Sequence, residues 1–449
     1  MEAKAHPNAK TPGPTPLFFQ RRFWPMWAAL SLGTFSDNVL RQALLIGISF
    51  GVIAAPMFGR ADNAIPLIGA LLPLAIMLFT PLSGQLADKY ETSMMFRRTK
   101  FVEVMLMIVA GLAFVFEQGA LAIAMLFAMG AQSAFFSPVR TGAMPKYLAV
   151  DELVRGNGLC NAGLYSFILV GYMVGGSLIP TPGGGVKVAG VLLAASTLGW
   201  LAALKTLRAG ANDPDLKISF NWFGQIGRMA QIVKNARGVA PPLFGVAVFF
   251  LLSTAVTVLT PLYARDTLRA DSLTATALNG LFAIGAGLGA IVAAGLAKGR
   301  SGLGYSTFSV GLAGVFSLLV FFFSPFASAA PGETLKAGAL LTTPAGIALS
   351  FLFVATSALM GVYIAPLQAA VQRRAPAACR ARIMAAGAFL NAAFAIPGSL
   401  STFAITNTGA DPSLVFPAIA IAMLAIAALM LHRRRSLPEG LYDEVLRQS

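Results

Sequence analysis

From Phe23 onward the chain is a series of long apolar runs separated by short breaks of charge, proline and glycine. Roughly twenty apolar residues cross a bilayer core of about 30 Å. Dividing the chain at its breaks predicts twelve such spans, near 24–54, 64–87, 99–117, 119–138, 158–180, 186–207, 241–263, 275–297, 304–325, 344–371, 383–405 and 413–432. The runs are too long for barrel strands and lack their period of two, so the expected fold class is an all-α membrane protein. The longest connection, 208–240, separates six spans from six. The expected organisation is a cytoplasmic tail (1–22), a six-helix bundle (23–208), a cytoplasmic linker (209–240), a second six-helix bundle (241–432) and a cytoplasmic tail (433–449). In the linker, Trp222, Ile226, Met229 and Val233 recur at helical spacing, with Asn221, Gln225, Arg228 and Lys234 on other faces. That pattern predicts an amphipathic helix, lying either on the membrane surface or on the protein itself.

Composition excludes a soluble domain, because 57% of residues are hydrophobic and only 11% are charged. The net charge of +15 would ordinarily raise the question of nucleic acid, but its distribution answers it. With the N-terminus on the cytoplasmic side, 27 of the 33 Lys and Arg residues fall in cytoplasmic segments, and Arg41 falls inside the first span. This is the positive-inside pattern of a multi-pass protein with both termini cytoplasmic, so no nucleic-acid partner is implied, and anionic lipid headgroups are the natural neighbours. Cys160 and Cys379 are the only cysteines, and His6 and His432 the only histidines, at opposite ends of the chain. No disulfide framework, metal centre or histidine relay follows from them. The apolar run after Arg21 and Arg22 is too long for a signal-peptide core and is expected to remain as the first helix.

Charge inside the spans is rare, and so it is informative. Asp37 and Arg41 lie four residues apart in the first span, with Asn38 beside the acid, which puts both charges on one helical face. An ionisable group at bilayer depth is costly and marks a functional site by default. Arg41 has two roles open to it, as a receptor for substrate anion or as the counter-charge of Asp37. Glu103 is the other acid within a span and, beside Lys100, reads as an ion pair at the membrane interface. No cofactor is expected. Sodium could bind Asp37 with Asn38, two acids alone support a proton relay poorly, and uniport stays open. Gly280, Gly285, Gly287 and Gly289 read as close helix packing, Pro138 and Pro366 as sites where helices bend or end, and Phe135 and Phe136 as lipid-facing.

The halves look like copies of each other. The fourth span ends near Pro138 and is followed by Asn161; the tenth ends near Pro366 and is followed by Asn391, at nearly the same offset. A parallel repeat of this kind is the arrangement of the major facilitator superfamily, whose substrate site lies near the midplane. Gly84-Gln85-Leu86-Ala87-Asp88-Lys89 resembles that superfamily's G-x-x-x-D-[RK] loop motif. The resemblance assigns Gly84 to close helix approach and Asp88 to a conformational latch. Its counterpart, Gly295 with Lys298 and Arg300, lacks the acid.

Several segments in order along the chain are similar to the bacterial lysophospholipid transporter branch. They are Phe35-Ser36-Asp37-Asn38, Gly84-Gln85-Leu86-Ala87-Asp88, Ser137-Pro138-Val139-Arg140-Thr141-Gly142, Gly156-Asn157-Gly158-Leu159 and Ala365-Pro366-Leu367-Gln368. The resemblance implies an inner-membrane carrier that moves lysophospholipids such as lysophosphatidylethanolamine inward, by alternating access, for re-acylation by a separate acyltransferase, and that works as a monomer. Asp37 would receive the ammonium, Asn38 would hydrogen-bond the headgroup, and Arg41 or Arg140 would receive the phosphate. Arg140 is equally readable as a topological anchor. Two departures stand out: the seventh span, over Ser253–Thr260, lacks the arginine the family carries there, and Arg140 replaces a lysine. A carrier or exporter for a small zwitterion or drug is the alternative. No His-x4-Asp pair is present, so acyltransferase activity in this chain is not expected.

Overall fold

The structure, a computed structural model, describes residues 17–56, 60–148, 152–211, 213–296, 303–376 and 379–435. Its helices are α1 (Trp24–Ser49), α2 (Ala64–Lys89), α3 (Thr92–Val115), α4 (Gly119–Tyr147), α5 (Leu153–Leu178), α6 (Gly184–Leu204), α7 (Trp222–Asn235) and α8 (Ala240–Leu262). They continue as α9 (Ser272–Leu296), α10 (Leu303–Ala327), α11 (Ala339–Thr342), α12 (Pro344–Arg374), α13 (Arg380–Leu400), α14 (Phe403–Thr408) and α15 (Val415–Arg435). The only extended pairing among the described residues is an isolated bridge between Ala270 and Leu335. Each predicted span has its helix. Ten helical segments among the described residues are long and apolar enough to cross a membrane; α1 and α3 are 26 and 24 residues long but carry the charged groups discussed below. The chain is a multi-pass, all-α membrane protein.

The chain divides into two compact units. One comprises residues 1–44 and 74–225, the other 45–73 and 226–449. In the first, α3 packs on α4 and α6, and Phe23, Met26, Phe96, Phe136, Val139 and Tyr147 form a buried cluster. In the second, α12 packs on α9 and α10, α8 on α13, and α10 on α15. Its centre is aromatic: the rings of Tyr263, Phe353 and Phe416 lie 4.9–6.0 Å apart, and the buried Tyr263 hydroxyl meets Ser324 Oγ at 2.7 Å.

Compared with the expected bundle 23–208, the first unit runs on to 225, within the expected linker, and leaves out the stretch 45–73. The physical reason is a set of polar contacts within the second unit. A π-helical turn, Tyr263–Thr267, follows α8 and aims Arg265 so that Nη1 and Nη2 each donate to a carboxylate oxygen of Asp62 at 3.0 Å. The same guanidinium donates to the Ser49 carbonyl and, through Nε, to Asp266. Ser399 Oγ donates to the Pro66 carbonyl at 2.6 Å. A forked guanidinium on a carboxylate is a directional contact that a lysine would not reproduce.

The linker helix α7 begins at Asn221, whose Oδ1 accepts from the Gly224 amide at 2.8 Å as a cap should. Trp222, Ile226, Met229 and Val233 are half-buried and Arg228 and Lys234 are exposed, so the predicted apolar stripe faces protein. Trp222 Nε1 donates to the Leu78 carbonyl at 2.9 Å, and Val233 packs beside Ala236, Val239 and Leu243.

Two of the α9 glycines, Gly285 and Gly289, serve close packing, and Gly287 does not. A Cβ at Gly285 would run into Ser357 Oγ, and one at Gly289 into the Ala358 carbonyl of α12, whereas at Gly287 it would meet nothing within 4 Å. Small residues let backbones approach where water exclusion supplies no driving force. Gly289→Val should therefore lower stability by about 1–3 kcal/mol through overpacking, while Gly287→Ala leaves it unchanged. Thermal unfolding of the purified protein in detergent checks both, and equal midpoints for the two variants would refute a tight α9–α12 seam.

Candidate functional site

The candidate residues of α1 are set by how α4 and α5 pack on it. A Cβ at Gly171 would lie 2.9 Å from both Asn38 Cβ and the Phe35 carbonyl, and one at Gly175 would meet the Val39 carbonyl. These two glycines bring α5 onto α1 and place Tyr172 between them, so that Arg41 Nη1 donates to the Tyr172 hydroxyl at 3.2 Å. From α4, Ser133 Oγ donates to Asp37 Oδ2 at 2.9 Å. Asp37 Oδ1 is buried and has no hydrogen-bond partner. Asn38 Nδ2 donates to the Thr34 carbonyl at 2.7 Å, within its own helix.

Asp37 and Arg41 do not form an ion pair. Among the described residues the salt bridges are Arg22–Glu152, Lys100–Glu103, Arg265–Asp62 and Arg265–Asp266. The charges acting on Asp37 are instead Glu103 and Lys100, from α3. Lys100 Nζ lies 2.6 Å from Glu103 Oε2, with the two side chains 0% and 1% exposed. Gln132 of α4 donates from Nε2 to the same carboxylate at 3.2 Å and to the Thr99 carbonyl at 3.0 Å. Lys100 Nζ also sits 4.7 Å from the centre of the Phe136 ring, a cation–π contact. Glu103 Oε1 is buried and unpartnered.

This corrects the sequence reading in two respects. Lys100–Glu103 is a buried pair, not an interfacial one, because α3 begins at Thr92 rather than near residue 99. Eight residues of helix at about 1.5 Å each carry Lys100 roughly 12 Å from the end. Phe136 is likewise buried against Phe96, with centroids 4.9 Å apart, instead of facing lipid. Gln132 and Ser133 escape sequence reasoning altogether. Their only signal is two polar residues side by side in an apolar span.

The loop motif is placed differently again. A Cβ at Gly84 would meet nothing within 4 Å, so Gly84 marks no close helix approach here. Asp88 is exposed, and its carbonyl accepts from the Asp213 amide at 2.9 Å. Its carboxylate acts on Lys146 at the end of α4: burial pushes the Lys146 ammonium below the ordinary lysine range and Asp88 opposes that shift. Lys146 Nζ donates to Thr92 Oγ1 at 2.8 Å and to the Gly210 carbonyl at 2.6 Å. Gln85 exchanges two hydrogen bonds with the Ser219 backbone, at 3.0 and 2.8 Å. Arg140 lies within α4, but its side chain, like Lys298 and Arg300, falls outside the described residues. Pro138 and Pro366 sit inside α4 and α12, not at their ends. No group of three or more His, Cys, Asp or Glu that could hold a metal occurs among the described residues.

No family model matches the chain. It is 26% identical over 172 residues to the lysophospholipid transporter LplT of Cronobacter sakazakii (strain ATCC BAA-894), a match covering 38% of this chain and 40% of that protein. Among solved structures, a POT family transporter in complex with 5-aminolevulinic acid superposes with a TM-score of 0.64 at 13% identity, over 91% of this chain and 95% of that one. A point mutant of the nucleoside transporter NupG gives 0.62 at 12% identity, over 91% and 99%. A bacterial homologue of the iron transporter ferroportin, in an outward-facing state, gives 0.57 at 14% identity, over 92% and 100%. The fold is that of the major facilitator superfamily. These compared proteins are transporters, not enzymes. The LplT match spans about two fifths of that protein's length, so it speaks to kinship of part of the chain, while the major facilitator fold extends over nearly all of it.

The buried pair has an energetic signature. Removing one partner strands the other charge in an apolar interior, so Lys100→Met should destabilise the protein by about 3–5 kcal/mol, and Lys100→Met combined with Glu103→Gln should recover most of that loss. Unfolding of the three purified proteins in detergent tests the coupling; additive losses would show that the two side chains do not act as a pair.

Proposed function

We propose that this protein is a secondary carrier of the inner membrane that moves lysophospholipids, such as lysophosphatidylethanolamine, from the outer to the inner leaflet, by alternating access. The observation that carries the reading is a pair of opposite charges one helical turn apart on α1 that do not neutralise each other: Asp37 is held by Ser133 and Arg41 by Tyr172. A zwitterionic headgroup has the complementary pattern, an ammonium for Asp37 and a phosphate for Arg41, with Arg140 as a second candidate for the anion. The partial match to LplT and the ordered motifs of the first half support the lipid class, and the apolar lining of nearly every helix suits a single acyl tail. Delivery to a separate acyltransferase, both termini in the cytoplasm and a monomeric carrier complete the proposal.

A second reading, a carrier for a small zwitterion, uses the same two charges. The ligand named for one structure of the same fold, 5-aminolevulinic acid, belongs to that chemical class.

Uptake of radiolabelled lysophosphatidylethanolamine into spheroplasts lacking their own carrier separates the two. Protein-dependent uptake should fall on the order of tenfold or more in Asp37→Asn and in Arg41→Ala, the loss expected for one charge-assisted contact. Because the two side chains are not paired, Asp37→Asn should not rescue Arg41→Ala. A well-expressed, folded protein that supports no uptake would remove the lipid reading in favour of the small zwitterion.

A further inference from the structure

We propose that the start of α1 and the end of α6 carry a binding site for a resident anionic phospholipid of the phosphatidylglycerol type, apart from the groups assigned to the transported headgroup. The carrier reading above supplies only the leaflet, the cytoplasmic one, through its topology. The site begins as an open cleft of about 320 Å³ lined by Phe18, Phe19, Trp24, Trp27 and Ala28. Trp24, Trp27 and Ala28 share one face of α1, and the 3₁₀ turn Leu17–Phe19 adds the other two rings. The rings are fixed before any ligand arrives. Phe18 stands edge-on to Trp27 at 4.7 Å and to Phe19 at 5.2 Å, and Trp27 Nε1 donates to the Leu159 carbonyl at 3.0 Å. Pockets for whole small ligands run from roughly 300 to 1,000 Å³, so a cleft at the bottom of that range takes part of one acyl chain.

The charge beside the cleft selects the headgroup. Lys205, the first residue after α6, holds its ammonium 5.4 Å from the centre of the Trp24 ring. Among the described residues Lys205 has no ion pair, whereas Arg22, two residues before Trp24, is taken by Glu152 at 2.6 Å. Trp24 Nε1 has no acceptor among the described residues, which puts a second donor beside the ammonium. Lys205 is also in helical register with Leu201 and Leu198, four and seven residues earlier, and both leucines are exposed. Exposed leucines on a membrane helix face acyl chains, and a lysine at the end of such a stripe lies at the level of the phosphates. A phosphate on Lys205 therefore has one apolar track along α6 and another in the aromatic cleft, one for each chain of a diacyl lipid.

An anionic headgroup fits better than a zwitterionic one. No carboxylate lines the cleft, and an ammonium drawn to the Trp24 ring would meet Lys205 there and be repelled. A single-chain lipid would fill only one of the two tracks. The residues before Leu17 carry Lys4 and Lys10 against Glu2, a charge of the same sign as Lys205, so the chain's own tail does not complement the site.

Tryptophan quenching by brominated lipid tests this. The protein has four tryptophans, and Trp200→Phe with Trp222→Phe leaves only the two that line the cleft. With this full-length protein in phosphatidylcholine vesicles, a small fraction of chain-brominated phosphatidylglycerol should quench about fivefold more effectively than equally brominated phosphatidylcholine, the preference one lysine gives an anionic headgroup. Lys205→Gln should bring the ratio to about one and Lys205→Arg should retain it. Lys187→Gln, which removes a lysine from the other end of α6, should leave it unchanged. Unbrominated phosphatidylglycerol should relieve the quenching and lysophosphatidylethanolamine should not. On the wild-type background the other two tryptophans add an offset common to all Lys205 variants, so the comparison stands without the double substitution. Equal quenching by the two brominated lipids, or a preference that survives Lys205→Gln, would overturn the proposal. So would relief by lysophosphatidylethanolamine where phosphatidylglycerol gives none, which would make the cleft a stage of the transport path. Selective quenching without uptake would remove only the lysophospholipid carrier reading, and uptake without selective quenching would remove only this site.

Discussion

The first unit is organised around a lysine and a glutamate that have no access to water. In a bilayer a charge can be stabilised only by what the protein brings to it, and here the components come from three helices. Gly33 of α1 leaves room for the ammonium, α4 supplies the Gln132 amide and the face of Phe136, and α3 supplies both members of the pair three residues apart. Replacing any of them by a residue of similar size and different chemistry would leave a charge or a polar atom unmatched. That requirement is a reason for these helices to keep one register, and Asp37 inherits its electrostatic surroundings from it.

Among the described residues, the second unit has no fully buried charged side chain. Several of its buried hydroxyls donate to backbone carbonyls: Ser357 to Phe353, Thr260 to Val256, Ser306 to Tyr363 and Ser317 to Phe416. Where helices must come close, glycine replaces side chain, as at Gly285, Gly289 and Gly361. The guanidinium of Arg265, forked on both Asp62 and Asp266, lies at the ends of helices, where it keeps part of its hydration. Among the described residues, buried charge is therefore concentrated in the first unit.

Much of the plan was legible because hydrophobic length is a strong signal. Twelve apolar runs became twelve long helices, with ends mostly within a few residues of those expected. The boundaries misjudged most were the end of α4, expected near 138 and found at Tyr147, and the start of α3, expected near 99 and found at Thr92, where Arg97 and Arg98 read as a loop. A helix that buries a lysine through a partner one turn away has the same sequence as a basic loop followed by a helix. Gly285 and Gly289 of α9 are packing positions, as their sequence suggests, while Gly287 between them and Gly84, assigned by motif, meet nothing. Sequence spacing tells which residues share a face, not whether another helix occupies it.

Residue order by itself determined that the chain is a membrane-crossing helical bundle, and that Asp37 and Arg41 share one helical face. Both follow from periodicity and from the cost of leaving backbone or charge unsatisfied in lipid, which local sequence records. The tertiary structure decided the partners. It gave Asp37 to Ser133, Lys100 and Glu103, gave Arg41 to Tyr172, and turned an apparent surface pair into the electrostatic centre of a unit. Those choices depend on which helices come within a few ångströms of one another, and that distance is set by small residues far apart in the chain, from Gly33 to Gly171 and Gly175.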